Sequence, residues 1–547
     1  MYAVRPDRAA RRLRLLGCAL LLLLLACGSS VVRADDAPAA ARSTKPNIVF
    51  LFSDDHALRS IGCYGAGLVK TPSIDRLADE GVVFTSSFCT TSLCCPSRAA
   101  ILTGKHGHRN GVVGNGDKWN GAQFAFPKAL RKAGYQTALV GKWHLRGSPG
   151  DLFDHWQILS GAGGQGQYFN PDFECDDGRK VQVEGYSTDI ITDLALAWLA
   201  ERDAHKPFML MCQYKAPHIH RVPPPRYMDK YDGWTLPLPE TYFDDYRDRA
   251  EYAAHTYMEI RGMPEMLLNI VPLAGEPIDL TEPRYDWMAR MTPGHREAYH
   301  HAYDPDNRAY RELVKAGTLT GLTKEHYWYQ RFIKDYLGCV AAIDDNVGRV
   351  LAYLDEHDLA RNTVVIYSSD QGFFTGEHRW AEKRWMYEES LMMPLVVRWP
   401  EHVQPGTRID AMVQNIDYAP TFLELAGAAV PDEVQGRSLV PLLRGDVPAD
   451  WRKSIYYHYD DGNAYNLPKI EGVRTTRYKL INYYAPHQAW ELFDLKTDPL
   501  ELHNVYADPA YSQVAKDMKQ ELARLRKLYG SPINTPPLDA TATAPQE

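Results

Sequence analysis

Four short apolar runs in this chain each stop at a knot of charged or polar residues. "NIVFLF" runs into Ser53-Asp54-Asp55, and "TALV" into Gly141-Lys142-Trp143-His144. "PFMLMCQY" meets Lys215-Ala216-Pro217-His218, and "TVVIYS" meets Ser369-Asp370-Gln371-Gly372. Their length and β-branched content suit strands buried on both faces, as in a parallel sheet. In an open α/β sheet ligands bind beyond the carboxyl ends of the strands. Knots spread over more than 300 positions can therefore converge on one site.

Helical patterns fill the gaps. "TPSIDRLADEG" opens on Thr71-Pro72 and closes at Gly81, "STDIITDLALAWLAER" starts at a capping Ser187 or Thr188, and a long amphipathic stretch begins at Tyr327. The expected fold is α/β: a large mixed, mostly parallel sheet sandwiched by helices, spanning 45–431. A smaller α+β unit with an antiparallel sheet follows over 450–530, from "KSIYYHY", "YKLINYY", "WELFDL" and the helix ending at Gly530. Residues 221–322 break the rhythm with Pro, Tyr and acidic residues, and read as an excursion that shapes a substrate site; its aromatics suit sugar stacking and ordinary packing equally. The tail 531–547 reads as disordered.

Residues 1–34 read as a signal peptide, with arginines ahead of "LLGCALLLLLLA", too short an apolar run to span a bilayer comfortably. The chain is thus expected to be exported, to the periplasm or the medium, with no transmembrane segment in the mature form. Cleavage after "VRA" gives a soluble protein; "LLLAC" offers a second reading, a lipid anchor on Cys27. Removing six arginines and one aspartate with the leader takes the formal charge from −8 to −13. That acidity argues against nucleic acid and against a broad basic groove, so an anionic substrate needs a few local cations. Seven cysteines remain, an odd number and too few for a disulfide scaffold of this length.

Two of them open "CCPSRAAILTG". Pro96 and the apolar residues after it put Cys94 and Cys95 at a helix N-terminus beside Arg98, where a thiolate is favoured. Local chemistry alone leaves a structural thiol or a vicinal disulfide open. The order Cys94-Cys95-Pro96-Ser97-Arg98 with a downstream Leu-Thr-Gly, however, resembles the signature of the type I sulfatases of the alkaline-phosphatase-like superfamily, and the other knots fall in that family's order from about Lys45 to Tyr529.

The resemblance implies that Cys94 is oxidised after translation, by a formylglycine-generating enzyme, to formylglycine, whose hydrate is the nucleophile. Asp54, Asp55, Asp370 and Gln371 match the family's metal residues, with position 94 beside them. Oxygen donors suit one Ca²⁺ better than Zn²⁺. Lys142 and His144 match Lys-x-His, His218 the Pro-His element, and Lys383 the lysine thirteen positions after Asp370. Lys142, Lys383 and Arg98 are then expected to hold sulfate oxygens, with His218 or His144 protonating the leaving alcohol. His378 and His220 lie near the motifs without an assigned role. "GEHRW" and "WELFDLKTDPLELHNV" look most like the glycan sulfatases similar to N-acetylglucosamine-6-sulfatases, so the expected substrate is a sulfated carbohydrate. Two alternatives stand beside this: a phosphatase or phosphonate hydrolase of the same superfamily, and a sulfated-glycan-binding protein that never acquires the aldehyde.

Overall fold

The computed structural model describes residues 45–533, apart from 66 and 462–465. The leader with Cys27, and most of the C-terminal tail, lie outside the described residues. A ten-stranded sheet organises the chain. Its five central strands are parallel, in the order Thr363–Ser369, Asn47–Ser53, Phe208–Gln213, Gln136–Gly141 and His155–Ser160. On one side the sheet continues through Leu395–Arg398, Val82–Phe84 and Thr407–Ile409, and on the other through Asp172–Cys175 and Lys180–Gln182; antiparallel pairings enter on both sides.

Side chains alternate across a strand, so a strand apolar at every position needs cover on both faces. The strand Asn47–Ser53 shows this directly. Ile48, Phe50 and Phe52 enter the core that takes Ile101 and Leu102 of the helix Cys94–Thr103 and Phe422 of Tyr418–Leu425. Val49 and Leu51 enter the opposite core, with Ile74 and Leu77 of Pro72–Asp79, Ile191 of Ser187–Glu201 and Ile343 of the long helix Gly321–Glu356.

The C-terminal unit is a four-stranded antiparallel sheet. Met518, Leu522 and Leu525 of the helix Ser512–Tyr529 pack on Tyr456, Val473, Leu480 and Leu492. The strand Lys469–Thr475 escaped the sequence pattern because a charged residue sits on its buried side: Glu471 is fully buried and accepts from Asn482 Nδ2 at 2.7 Å and Arg526 Nε at 2.9 Å.

One local expectation is corrected. The helix beginning at Ser187 has Tyr186 as its N-cap and no side-chain capping bond. In 221–322, short 3-10 turns precede the helix Pro293–Lys315, and Tyr242, Trp287, Tyr299, Tyr303 and Tyr310 are buried in packing, whereas Trp234 is exposed.

Candidate active site

The four strand ends meet. Asp54 and Asp55 follow Asn47–Ser53, Lys142 follows Gln136–Gly141, the segment carrying His218 follows Phe208–Gln213, and Asp370 and Gln371 follow Thr363–Ser369. Local backbone aims them. Asp55 turns with φ +66°, a left-handed conformation that Asp tolerates better than most residues, and its N–H bonds Asp370 Oδ1 at 3.2 Å. Gly141 has φ +109°, and a Cβ there would sit 2.0 Å from the Gln213 carbonyl oxygen; that close approach lets the Lys142 N–H bond the same oxygen at 2.8 Å. A Cβ on Gly372 would lie 2.1 Å from the Glu389 carbonyl oxygen, so the turn after Gln371 also requires glycine.

Cys94 is the first residue of its helix, and its Sγ lies 3.6 Å from Asp54 Oδ1 and 4.0 Å from Gln371 Nε2. The expected thiolate is corrected here. Burial, and then the Asp54 carboxylate, push the Cys94 thiol well above its ordinary value, outweighing Lys383 and Lys142. A protonated thiol in this setting is a poor nucleophile. All seven described cysteines are free, so neighbouring Cys94 and Cys95 form no disulfide.

Arg98 reaches back from the second turn of that helix and holds the cluster together. Nη2 donates to Asp54 Oδ2 at 2.8 Å and to Asp370 Oδ2 at 3.2 Å, Nε to Asp370 Oδ2 at 3.3 Å, and Nη1 to Gln213 Oε1 at 2.6 Å and the Lys142 carbonyl at 2.8 Å. Its guanidinium also covers the Phe52 ring at 5.0 Å. With its hydrogen bonds directed at the protein, Arg98 is a strut between carboxylates rather than an open hand for sulfate. Lys142 Nζ is ion-paired with Asp54 Oδ2, and Lys383 Nζ donates to the two Asp55 carboxylate oxygens at 2.6 and 2.8 Å.

These charges set one another. Burial alone would raise Asp54, but Lys142, His218, Arg98 and Lys383 hold it well below the usual carboxylate range. Asp370 goes the other way, pushed up by burial and by Asp54. His218 donates from Nδ1 to the Ile219 carbonyl at 3.0 Å, which leaves Nε2 facing Asp54 and Asp55 at 3.9 and 3.8 Å. Burial, then Lys142 and Lys383, lower His218 well below the ordinary imidazole value; burial and Lys142 do the same to His144. Both rings are therefore neutral at pH 7. His144, at φ +54°, accepts from Gln165 Nε2 at 2.9 Å, and its Nδ1 has no hydrogen-bond partner among the described residues.

A cation fits here. Oxygens of Asp54, Asp55 and Asp370 lie within 4.8 Å of one another, and Gln371 Oε1 is buried without a hydrogen-bond partner among the described residues. An all-oxygen donor set suits a hard divalent ion. Asp54, Cys94 and His218 form a second, overlapping group of softer donors.

The remaining sequence candidates separate. His378 is buried against aromatic rings with Nδ1 on Asp244 at 2.7 Å, which gives it a structural place. His220 lies beside Trp287, ring centroids 6.0 Å apart, and burial followed by Lys215 lowers it to about 4. Two further cations are buried: Lys215, which opens one of the four polar knots, and Arg221, which no sequence pattern marks. Lys215 Nζ donates to the Ile219 carbonyl at 2.9 Å, and burial with Lys142 nearby pushes it down to about 7.

Buried carboxylates that could hold a cation and lysines beside them at strand ends, with a cysteine at a helix N-terminus facing them, suit the chemistry of anionic esters on a mostly parallel sheet. Comparison with known proteins gives the family. The model described as Sulfatase matches residues 46–428, and one described as N-sulphoglucosamine sulphohydrolase, C-terminal, matches 376–528. An N-acetylglucosamine-6-O-sulfatase of Bacteroides thetaiotaomicron is 41% identical over 497 residues, covering 90% of this chain and 88% of that one. A solved structure of a protein in complex with its substrate D-glucosamine-2-N,6-O-disulfate is 41% identical, with a TM-score of 0.87 over 89% of this chain and 99% of that one. A multifunctional alkaline phosphatase superfamily protein of Trinickia caryophylli is 26% identical, over 87% of this chain and 94% of that one. The chain belongs to the sulfatase family, and its reaction is the hydrolysis of a sulfate ester.

Proposed function

We propose that the protein removes the 6-O-sulfate of N-acetylglucosamine or a related glucosamine unit of a sulfated glycan, using a formylglycine made from Cys94 and one Ca²⁺ ion. The observation that carries this reading is the buried charge cluster around Cys94, in which Asp54, Asp55 and Asp370 are matched by Lys142, Lys383 and Arg98. The similarity to an N-acetylglucosamine-6-O-sulfatase, and to a protein whose substrate carries 2-N and 6-O sulfates, supports the sugar and the position.

When present, the hydrated aldehyde at position 94 supplies a nucleophilic oxygen, and the divalent ion supplies charge against the sulfate oxygens. Asp54, Asp55, Asp370 and Gln371 would hold that ion. Lys142 and Lys383 set their ammonium groups against the non-bridging oxygens in a dry site, where such contacts are strongest. His218 is neutral while flanked by these lysines; an incoming sulfate anion acts in the opposite direction and favours a proton on Nε2, the proton the departing alcohol needs. In balance, water cleaves the O–S bond, the sugar leaves as its alcohol and sulfur leaves as inorganic sulfate.

The leader takes the chain out of the cytoplasm, with residues 45–431 as the catalytic unit and 450–530 as the smaller unit. No described helix is long and apolar enough to cross a membrane. The test pairs two measurements on protein from its native host: the mass and aldehyde reactivity of the Cys94 peptide, and release of sulfate against phosphate from 6-esters of N-acetylglucosamine. An aldehyde-bearing peptide with sulfate release is expected. An unmodified thiol with sugar binding and no release would make this a glycan-binding protein, and faster phosphate release would make it a phosphatase.

A further inference from the structure

Arg221 is buried, and none of its three guanidinium nitrogens has a hydrogen-bond partner among the described residues. Its guanidinium lies between Phe332 and Phe373, 5.0 Å from each ring centroid. Ring faces attract a cation but leave its N–H groups unbonded, and a buried charge without a paired anion is costly. The neighbouring cations are placed differently. Arg98, Lys142 and Lys383 are paired with Asp54, Asp55 and Asp370, and Lys215 has the Ile219 carbonyl.

The aromatic seat of Arg221 is part of the wall of the site. Phe373 follows Gln371 by two residues, and its ring stacks on Tyr336 with centroids 5.8 Å apart. Tyr336 Oη donates to the Asp55 carbonyl at 2.6 Å. Asp55 is also the carboxylate whose charge acts most strongly on Arg221, although both its oxygens are already bonded to Lys383.

We propose that Arg221 is a positioning residue of the sulfate site, a permanent unneutralised positive charge seated behind Asp55 that draws an anionic group into the pocket and tempers how tightly Asp55 helps hold a cation. The proposal rests on the reading of this pocket as a sulfate site. Lys215 cannot take the role, since it is pushed down to about 7 and is partly neutral near physiological pH, whereas a guanidinium stays charged. Arg221 acts through its field, so its effect has opposite signs on ions of opposite charge.

That sign separates the role from ordinary packing. Binding of Ca²⁺ alone and of inorganic sulfate alone is measured by calorimetry on the mature wild-type protein and on Arg221→Met and Arg221→Gln. Removing one nearby buried charge should weaken sulfate about three- to tenfold and tighten Ca²⁺ by a similar factor in both neutral variants. Structural damage would weaken both together, and that result, or unchanged sulfate affinity, overturns the proposal. If the Met variant does not fold, the Gln variant decides: weaker sulfate binding with tighter Ca²⁺ binding supports the charge, and unchanged sulfate affinity or weakening of both ions refutes it. A wild-type protein that neither binds sulfate nor releases it from 6-sulfated N-acetylglucosamine would defeat the functional reading itself, before any variant is compared.

Discussion

Replacing Arg98 with methionine should cost most of the rigidity of the site, and its magnitude follows from what the guanidinium touches. The change removes the paired cation of Asp370 and one of the two direct cationic partners of Asp54, and leaves Gln213 Oε1 and the Lys142 carbonyl without this donor. Breaking a buried pair from one side costs about 3–5 kcal/mol, and each orphaned acceptor about 1–3 kcal/mol, but these do not add because Lys142 still faces Asp54. The expected loss is about 3–5 kcal/mol in chelator, read as a shift in urea unfolding. Bound Ca²⁺ should recover part of it, because a cation among the same carboxylates supplies the missing charge. Arg98→Lys should recover less than half, since one ammonium cannot reach four acceptors in the geometry of a planar fork. A loss below about 1 kcal/mol in chelator, or an identical loss with and without Ca²⁺, would refute the picture of Arg98 as the strut between carboxylates.

Lys383→Met should lower kcat/KM for sulfate release about 10²–10³-fold, the usual effect of losing one charge-stabilising donor, and a drop under about fivefold would place Lys383 outside the chemistry. Chelation should lower the melting temperature and abolish sulfate release, and Ca²⁺ should restore both better than Zn²⁺ does, given the oxygen donors of Asp54, Asp55, Asp370 and Gln371; full recovery with Zn²⁺ alone would favour the group of Asp54, Cys94 and His218 instead. Glu389 is raised to about 8 by burial and by Glu377 and Glu501. Its folded form holds a proton that the unfolded chain releases above about 4.5, so its contribution weakens as pH rises from about 4.5 to about 8. With 21% of its side chain exposed, Glu389→Gln should gain about 1–2 kcal/mol on wild type at pH 8 and nothing near pH 4, and equal stability of the two at pH 8 would contradict the assignment.

The strand ends were legible because a parallel sheet imposes two constraints that a sequence displays, an unbroken apolar run and a polar stop. Asp54, Lys142, His218 and Asp370 follow from that pattern, and the signature beginning at Cys94 adds the helix that closes the site. What each residue touches was less visible. Arg98 reads as a ligand for sulfate, but its hydrogen bonds go to four protein groups brought together from distant parts of the chain. Nothing in the sequence marks Arg221 as buried, and Phe332 of the long helix with Phe373 after Gln371 enclose it. The aromatics of 221–322 carry no mark that separates packing from ligand stacking; tertiary cover decides it, and it decides for packing at Trp287, Tyr299 and Tyr303. The helix-end location of Cys94 favours a thiolate, but burial, and then the Asp54 carboxylate at a strand end far off in sequence, reverse the sign.

The burial of Cys94 gives the life of this chain a deadline. The residue is 1% exposed, and its walls come from Asp54 on one side and from Gln371 and Lys383 nearly three hundred positions later. While those later residues are still unmade the thiol has no lid, and at about 5–20 residues per second roughly 15–60 seconds separate its synthesis from theirs. Any enzyme that must handle the sulfur has that interval. If Cys94 is modified as proposed, folding speed and chemical completeness compete: a variant that closed its sheet sooner would be sturdier as a polymer and poorer as a population of finished molecules.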